Sequence, residues 1–304
     1  MTIDPALAAR YLEACWRRGE TPLFLAANVK IWAVAIDAMV AANRLDAAAH
    51  ASLLAAAEFP SVVFMRTMAL AFSKLPPPVD RAGQDGFSDA KGVDVQIVRR
   101  QGSDTVIFAF TGNSDRLGLP LNLIHRWMVP LGVHVVYLRD VQRHFYTSGI
   151  ASLAPTEAGT VAALRRLAEQ LGAKRILTYG NSAGGYAALK YALGLQAERA
   201  LVFGAPTALE MTGELHHLPD LSAEQLPDLR ALYAAAPARP RTHLVASGGV
   251  ERDVQQAMHL QGPPGVSVEL IPDYASHETI LPLIENGRFP QILEWFVGTQ
   301  WDVP

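Results

Sequence analysis

The sequence predicts an α/β protein: a doubly wound, mostly parallel sheet preceded by an all-helical segment. Three observations carry this. Seven short strand-like runs follow one another from residue 93, separated by helical sequence. Most of these runs are apolar almost without interruption, the pattern of strands buried on both faces of a parallel sheet. Residues 1–75, by contrast, are rich in alanine and hold few β-branched clusters.

Within residues 1–75, Leu7, Tyr11 and Leu12 repeat at helical spacing, and breaks near Gly19–Pro22, Asn43–Asp46 and Pro60 divide the segment into three or four short helices. Pro76-Pro77-Pro78 and the polar stretch Asp80 to Gly92 then form a linker over 76–92, because proline cannot continue a helix. Residues 93–304 form the main domain. V-D-V-Q-I-V at its start alternates like a half-buried strand. T-V-I-F-A-F (105–110), V-H-V-V-Y-L (133–138), R-I-L-T-Y (175–179), A-L-V-F-G (200–204), T-H-L-V-A (242–246) and V-S-V-E-L-I (266–271) supply the other strands. The clearest helix runs from Thr156 to Leu171, with Val161, Leu164, Leu167, Ala168 and Leu171 on one face and Gly172 as its stop. Alternation of this kind implies right-handed crossovers, which place reactive groups beyond the carboxyl ends of the strands. The connection over 206–240 is too long for a plain loop and is read as a lid-like insertion carrying its own helices.

Composition narrows the function. Half of the 304 residues are hydrophobic and 18% are charged, enough for a sizeable core, and the net charge is −3. No long run of one sign occurs, which argues against a nucleic-acid footprint. Cys15 stands alone, so an internal disulfide and a multi-cysteine metal site are excluded. The N-terminus lacks the order of a signal peptide, and the apolar stretch Leu23 to Val40 carries Lys30 and Asp37. The expectation is a cytoplasmic protein with no membrane span.

The stretch that carries chemistry is Gly180-Asn181-Ser182-Ala183-Gly184. It fits G-x-S-x-G, with a buried strand before it and an alanine-rich helix after it, the setting of a nucleophile elbow. Glycines stand two positions either side of Ser182, where a Cβ would collide with neighbouring backbone. A serine hydroxyl needs a base to attack at neutral pH. Of the nine histidines, His277 in P-D-Y-A-S-H-E-T-I is best placed, in the loop after the last strand. His134 and His243 fall in strands, His50, His125 and His259 in helices, and His144, His216 and His217 in loops, the last two inside the insertion. The base in turn needs a carboxylate to fix its tautomer. Asp253 in S-G-G-V-E-R-D is the first candidate and Glu251 the reserve, while Asp273 reads as a turn residue. Donors for an oxyanion are expected from the amide of Ala183 and from Asn113 in Thr111-Gly112-Asn113-Ser114, with Gly112 behind it. Trp127, His144, Phe145, Tyr146 and Tyr186 are placed near the pocket, though packing explains aromatics of this kind one by one.

With G-N-S-A-G-G at the elbow, F-T-G-N after an early strand and the order Ser182, Asp253, His277, residues 93–304 resemble the α/β-hydrolase superfamily. The N-terminal helices lie outside the resemblance. Two departures stand out: Thr111 precedes Gly112 where many relatives have His-Gly, with no H-G-G-G run, and the acid loop is not the commoner Gly-x-x-Asp form. The resemblance implies the α/β-hydrolase fold and acyl transfer to water through an acyl-enzyme, without metal or organic cofactor. A small-molecule carboxylic ester or thioester is the expected substrate. Acyl transfer or peptide cleavage by the same residues is the alternative, and a non-catalytic interaction protein is a third. The N-terminal helices, with Trp16 and Trp32, are expected to bury their apolar faces against the main domain or in a homodimer or other partner contact.

Overall fold

A computed structural model of the chain describes residues 4–20, 22, 28–77, 87, 89–90, 92–211, 221 and 225–299. They fall into two compact units. One is drawn from Met1–Asp80, Gly86–Lys91 and Pro120–Trp127, the other from Arg81–Asp85, Gly92–Leu119 and Met128–Pro304.

The first unit holds four helices of the N-terminal segment: α1 (Pro5–Arg18), α2 (Val29–Ala41), α3 (Leu45–Glu58) and α4 (Val63–Ser73). Asp4 caps α1 by accepting from the Ala6 amide, and Gly19 ends it in the left-handed conformation. Asn28 caps α2, whose Ile31, Trp32, Ala35, Ile36, Met39 and Val40 are buried. Asn43, also left-handed, turns the chain between α2 and α3. Most of α5 (Leu121–Met128) belongs to this unit. There Asn122 donates to the Val40 carbonyl and accepts from the Asp89 amide, while Arg126 donates to the Pro76 carbonyl. Both are polar side chains used to bind main chain, a job that helical periodicity does not reveal.

The second unit is built on a seven-stranded sheet in the order β1-β3-β2-β4-β5-β6-β7. The strands are β1 (Val95–Val98), β2 (Thr105–Phe110), β3 (His134–Leu138), β4 (Arg175–Asn181), β5 (Arg199–Phe203), β6 (Arg241–Ser247) and β7 (Val266–Ile271). Each overlaps the run expected for it. Only β1 is antiparallel, pairing with β3 at the edge, which fits its alternating sequence. The interior strands are buried at nearly every residue, and β7, the other edge, is half-buried throughout.

Helices cover both faces. On one side, Val106, Phe108, Phe110, Val136 and Leu138 share a core with residues of α6 (Glu157–Gln170), α7 (Ala183–Leu195), α8 (Leu229–Ala235) and α9 (Glu251–Leu260). On the other, Tyr179 and Phe203 meet Phe296 and Phe289 of α11 (Arg288–Val297), which follows α10 (Ile280–Glu285). Thr156 caps α6 through the Gly159 amide at 3.1 Å, and Gly172 follows its C-terminal end in the left-handed region. Of the segment 206–240, the turn near 208–211 and helix α8 are described. His216, His217 and residues 78–86 of the linker lie outside the described residues. Among those described, no helix is long and apolar enough to cross a membrane.

Candidate active site

Ser182 sits between β4 and α7 with φ 54° and ψ −126°, a conformation that L-residues avoid unless the surroundings hold them there. What holds it is main chain. The Ser182 amide donates to the Phe203 carbonyl of β5 at 2.9 Å, and the Ser182 carbonyl accepts from Gly185 at 2.8 Å. The flanking glycines are dictated by the same tight turn. A Cβ on Gly180 would stand 2.6 Å from the carbonyl carbon of Gly184, and one on Gly184 would stand 2.6 Å from that of Phe110.

Asp253 and His277 arrive from β6 and β7, the two strands beyond β5 along the sheet. Asp253 lies in the first turn of α9, after β6, with its side chain only 3% exposed. His277 lies in the loop after β7. That loop is pinned to the one after β6: the Gly248 amide donates to Ile271 at 2.8 Å, the Gly249 amide to Tyr274 at 3.0 Å, and the Ser247 hydroxyl to Tyr274. The two glycines of S-G-G thus let the loops carrying acid and histidine lie side by side. His277 Nδ1 is 2.8 Å from Asp253 Oδ2. This bond raises the imidazole pKa above its ordinary value, against the opposing effects of burial and of Arg252. Glu251, the reserve acid, is exposed and binds Gln255 Nε2 at 3.1 Å instead. Asp273 occupies a left-handed turn, φ 54°, after β7.

Ser182, Ala183, Asn113, Asp253 and His277 all line one cavity of about 270 Å³, together with Phe145, Gly204, Ala205, Pro206, Arg252 and Gln256. Gly204 leaves room for the imidazole, since a Cβ there would stand 2.8 Å from Cε1 of His277. The amide of Ala183 opens α7 and so has no carbonyl within the helix to bind. The Gly112 amide is taken up by the Arg116 carbonyl at 2.9 Å, and its neighbour Asn113 lines the cavity.

Two supports were not legible in the sequence. The first is the loop 140–150, where Arg143, Phe145 and Tyr146 all have φ between 55° and 61°. Bulky residues in that region are strained, and hydrogen bonds impose the shape. Asp140 Oδ2 accepts from the Tyr146 amide at 2.8 Å, and Tyr191 Oη donates to the Tyr146 carbonyl at 2.9 Å. Tyr146 Oη reaches the carbonyls of Leu138 at 2.8 Å and Thr111 at 3.0 Å. Burial keeps this phenol protonated far beyond the usual range. Phe145 is thereby fixed on the cavity wall, and Thr111 is held two residues before Asn113. The second support is Gln256, one turn after Asp253. Its Oε1 accepts from the amides of Thr207 at 2.6 Å and Ala208 at 2.8 Å, while Nε2 donates to the Ala208 carbonyl at 3.0 Å. It ties the start of the 206–240 segment to the helix that carries the acid.

Among the described residues, no other histidine lines this cavity. His134 binds the Arg100 amide, His243 lies beside Glu269 under Trp295, and His259 pairs with Asp228 at 2.9 Å. Among the described residues, no group of three or more His, Cys, Asp or Glu side chains could hold a metal ion.

No protein-family model matches the chain, and no curated protein matches it. Solved structures do. A carboxyl esterase 2 from the mycorrhizal fungus Tuber melanosporum is 15% identical over 67% of this chain and 80% of its own, with a TM-score of 0.46. Thermogutta terrifontis esterase 2, phosphonylated by sarin, is 15% identical over 73% and 96%, with a TM-score of 0.47. A mutant capsule O-acetyltransferase of Neisseria meningitidis serogroup A, in complex with CoA, is 12% identical over 74% and 99%, with a TM-score of 0.48. Each of the three scores is below 0.5, so the fold is read from the chain's own strand order and turns. A sheet ordered β1-β3-β2-β4-β5-β6-β7 with only its first strand antiparallel, a serine on the sharp β4–α7 turn, and acid and histidine loops after β6 and β7 make this the α/β-hydrolase fold.

Proposed function

We propose that this protein is a serine hydrolase that cleaves a carboxylic ester or thioester through an acyl-enzyme. The observation that carries the reading is the pairing of His277 with the buried Asp253 at 2.8 Å, on the wall of the cavity into which the strained Ser182 turn opens.

In this reading Ser182 Oγ attacks the substrate carbonyl carbon while His277 Nε2 takes its proton. The carbonyl oxygen gains the negative charge and is received by the amides of Ala183 and Asn113. Collapse of the tetrahedral intermediate expels the alcohol or thiol, which leaves with the proton from His277. Water then repeats the sequence on the acyl-enzyme, with His277 as base, and frees the carboxylic acid and Ser182. Asp253 holds His277 in the tautomer with the proton on Nδ1 and stabilises the imidazolium.

A fluorophosphonate probe tests the reading. Wild-type protein is labelled and Ser182→Ala is not. Absence of labelling on wild type that is folded by circular dichroism overturns it. A series of p-nitrophenyl and thioester substrates of increasing acyl length then sets the acyl preference.

A further inference from the structure

Ser182 divides the cavity along the sheet. Its turn follows β4, with β5, β6 and β7 on one side and β2 and β3 on the other. Gly204, Asp253 and His277 come from the connections after β5, β6 and β7, and Asn113 and Phe145 from those after β2 and β3. In the proposed mechanism this division sorts the two halves of an ester. The leaving group takes its proton from His277 and so departs toward the β7 side. The carbonyl oxygen turns to the amides of Ala183 and Asn113. The acyl chain is the remaining substituent on the carbonyl carbon, and it runs away from His277, toward the loop after β3.

Phe145 stands at that end. Among the described residues lining the cavity it is the one large apolar side chain, since Ala183, Ala205 and Pro206 are smaller. Its ring meets that of Tyr186 edge-on, with 5.8 Å between centroids and 88° between planes. Tyr186 is fully buried, and its hydroxyl donates to the Pro227 carbonyl at 2.9 Å, so the ring behind Phe145 has no room to give way. The main chain is held as well. Phe145 has φ 55°, and the next residue, Tyr146, is tied through its amide to Asp140 and through its carbonyl to Tyr191. A ring backed by packing and carried on constrained backbone is a fixed stop.

We propose that Phe145 is the residue that limits acyl length, ending the acyl path after a short chain. The proposal rests on the serine-hydrolase reading and names its substrate class, esters or thioesters of short-chain acids. Truncating the ring opens the path toward Tyr186 and admits longer chains. The leaving-group side, beside His277, is untouched by the change.

The experiment measures kcat/KM on the full chain for p-nitrophenyl acetate, butyrate, hexanoate and octanoate in wild type, Phe145→Leu and Phe145→Gly. Glycine takes up the left-handed backbone at this position without strain, and leucine keeps an apolar filling in the core, so the two variants guard against different failures of folding. The readout is the ratio of octanoate to butyrate within one protein, so that any general loss of activity cancels. In wild type the ratio is below one. It rises roughly tenfold or more in Phe145→Gly, the discrimination expected of an apolar wall against one methylene or more, and rises less in Phe145→Leu. A second series, the butyrate esters of methanol, butanol and octanol, gives the same relative profile in all three proteins. A wild-type ratio at or above one overturns the proposal. So does a ratio that neither variant changes, or a shift that appears in the alcohol series instead. Fluorophosphonate labelling of Ser182 on the same samples separates the two failures. Labelled protein with an unchanged ratio rejects the role of Phe145 alone, whereas folded wild type that is not labelled rejects the hydrolase reading.

Discussion

Oδ2 of Asp253 lies 2.8 Å from Nδ1 of His277, and this bond is the largest influence on the proton affinity of the imidazole. In the proposed mechanism the base works only when neutral, so activity is expected to fall as pH drops through a pKa held above the usual histidine value of about 6.5. Asp253→Asn removes the chief upward influence and leaves burial and Arg252, both downward, opposed by the smaller upward influence of Glu278. The acid limb of the kcat/KM profile therefore moves to lower pH, while kcat itself drops on the order of a thousandfold or more. Stability carries the opposite sign. A raised folded pKa stabilises the protonated fold, so the contribution is full below about 6.5 and is lost as pH rises through the folded value. Thermal melts of wild type and Asp253→Asn across this range differ most at the acidic end.

Ser182 supplies a second prediction, because its backbone is strained whether or not the hydroxyl is present. Ser182→Ala keeps a Cβ at φ 54° and so keeps the strain, whereas Ser182→Gly relieves it. Strain of roughly 1–3 kcal/mol, less the added entropy of glycine in the unfolded chain, leaves a net gain of about 1 kcal/mol. Both variants lose probe labelling, and Ser182→Gly melts about 2–4 °C above Ser182→Ala. Equal melting temperatures would refute this.

Gly184→Ala acts in the other direction. Its Cβ would press on the carbonyls of Phe110 and Thr111, which are backbone atoms of β2 and the loop beyond it and cannot swing aside. A loss of at least about 1–3 kcal/mol is expected, read as a lower urea midpoint at unchanged m-value.

Tyr146→Phe tests whether the loop 140–150 serves the chemistry. Removing the hydroxyl takes away the one proton shared between the carbonyls of Leu138, which keeps the Thr111 amide as donor, and Thr111, a cost of about 1–3 kcal/mol. Since Thr111 leads into Asn113, kcat is expected to fall several-fold more than KM rises. A variant that loses stability but keeps wild-type kcat would confine Tyr146 to packing.

Gln256→Leu is expected to cost about 2–4 kcal/mol, because the amides of Thr207 and Ala208 lose one shared acceptor in a buried place. Limited proteolysis within 206–240 should speed up relative to wild type. Unchanged cleavage there would show that Gln256 does not anchor the segment.

Much of this architecture could be read from residues because its causes are local. The run T-V-I-F-A-F is β2 from end to end, since an uninterrupted apolar hexamer fits little but a strand covered on both faces. Ser182, Asp253 and His277 could be singled out because a parallel sheet delivers successive loops to one edge, and only certain residue types there are reactive. Other features left no trace. Phe145 and Tyr146 in left-handed backbone carry no compositional mark, for the hydrogen bonds that force them come from Asp140 and Tyr191, the latter 45 residues away from Tyr146. Gln256 reads as an ordinary helical glutamine until Thr207 is seen beside it. The grouping of 120–127 with the helical unit is likewise invisible in sequence, since Asn122 binds Val40 across 82 residues.

The histidine loop hangs from β7, an edge strand bonded to a single neighbour and the last to be made. In the proposed mechanism, a growing chain that already displays the serine turn has no base for Ser182 until β7 and the loop after it are made. Probe labelling of chains released before and after that strand would show whether the reactivity of Ser182 waits for it.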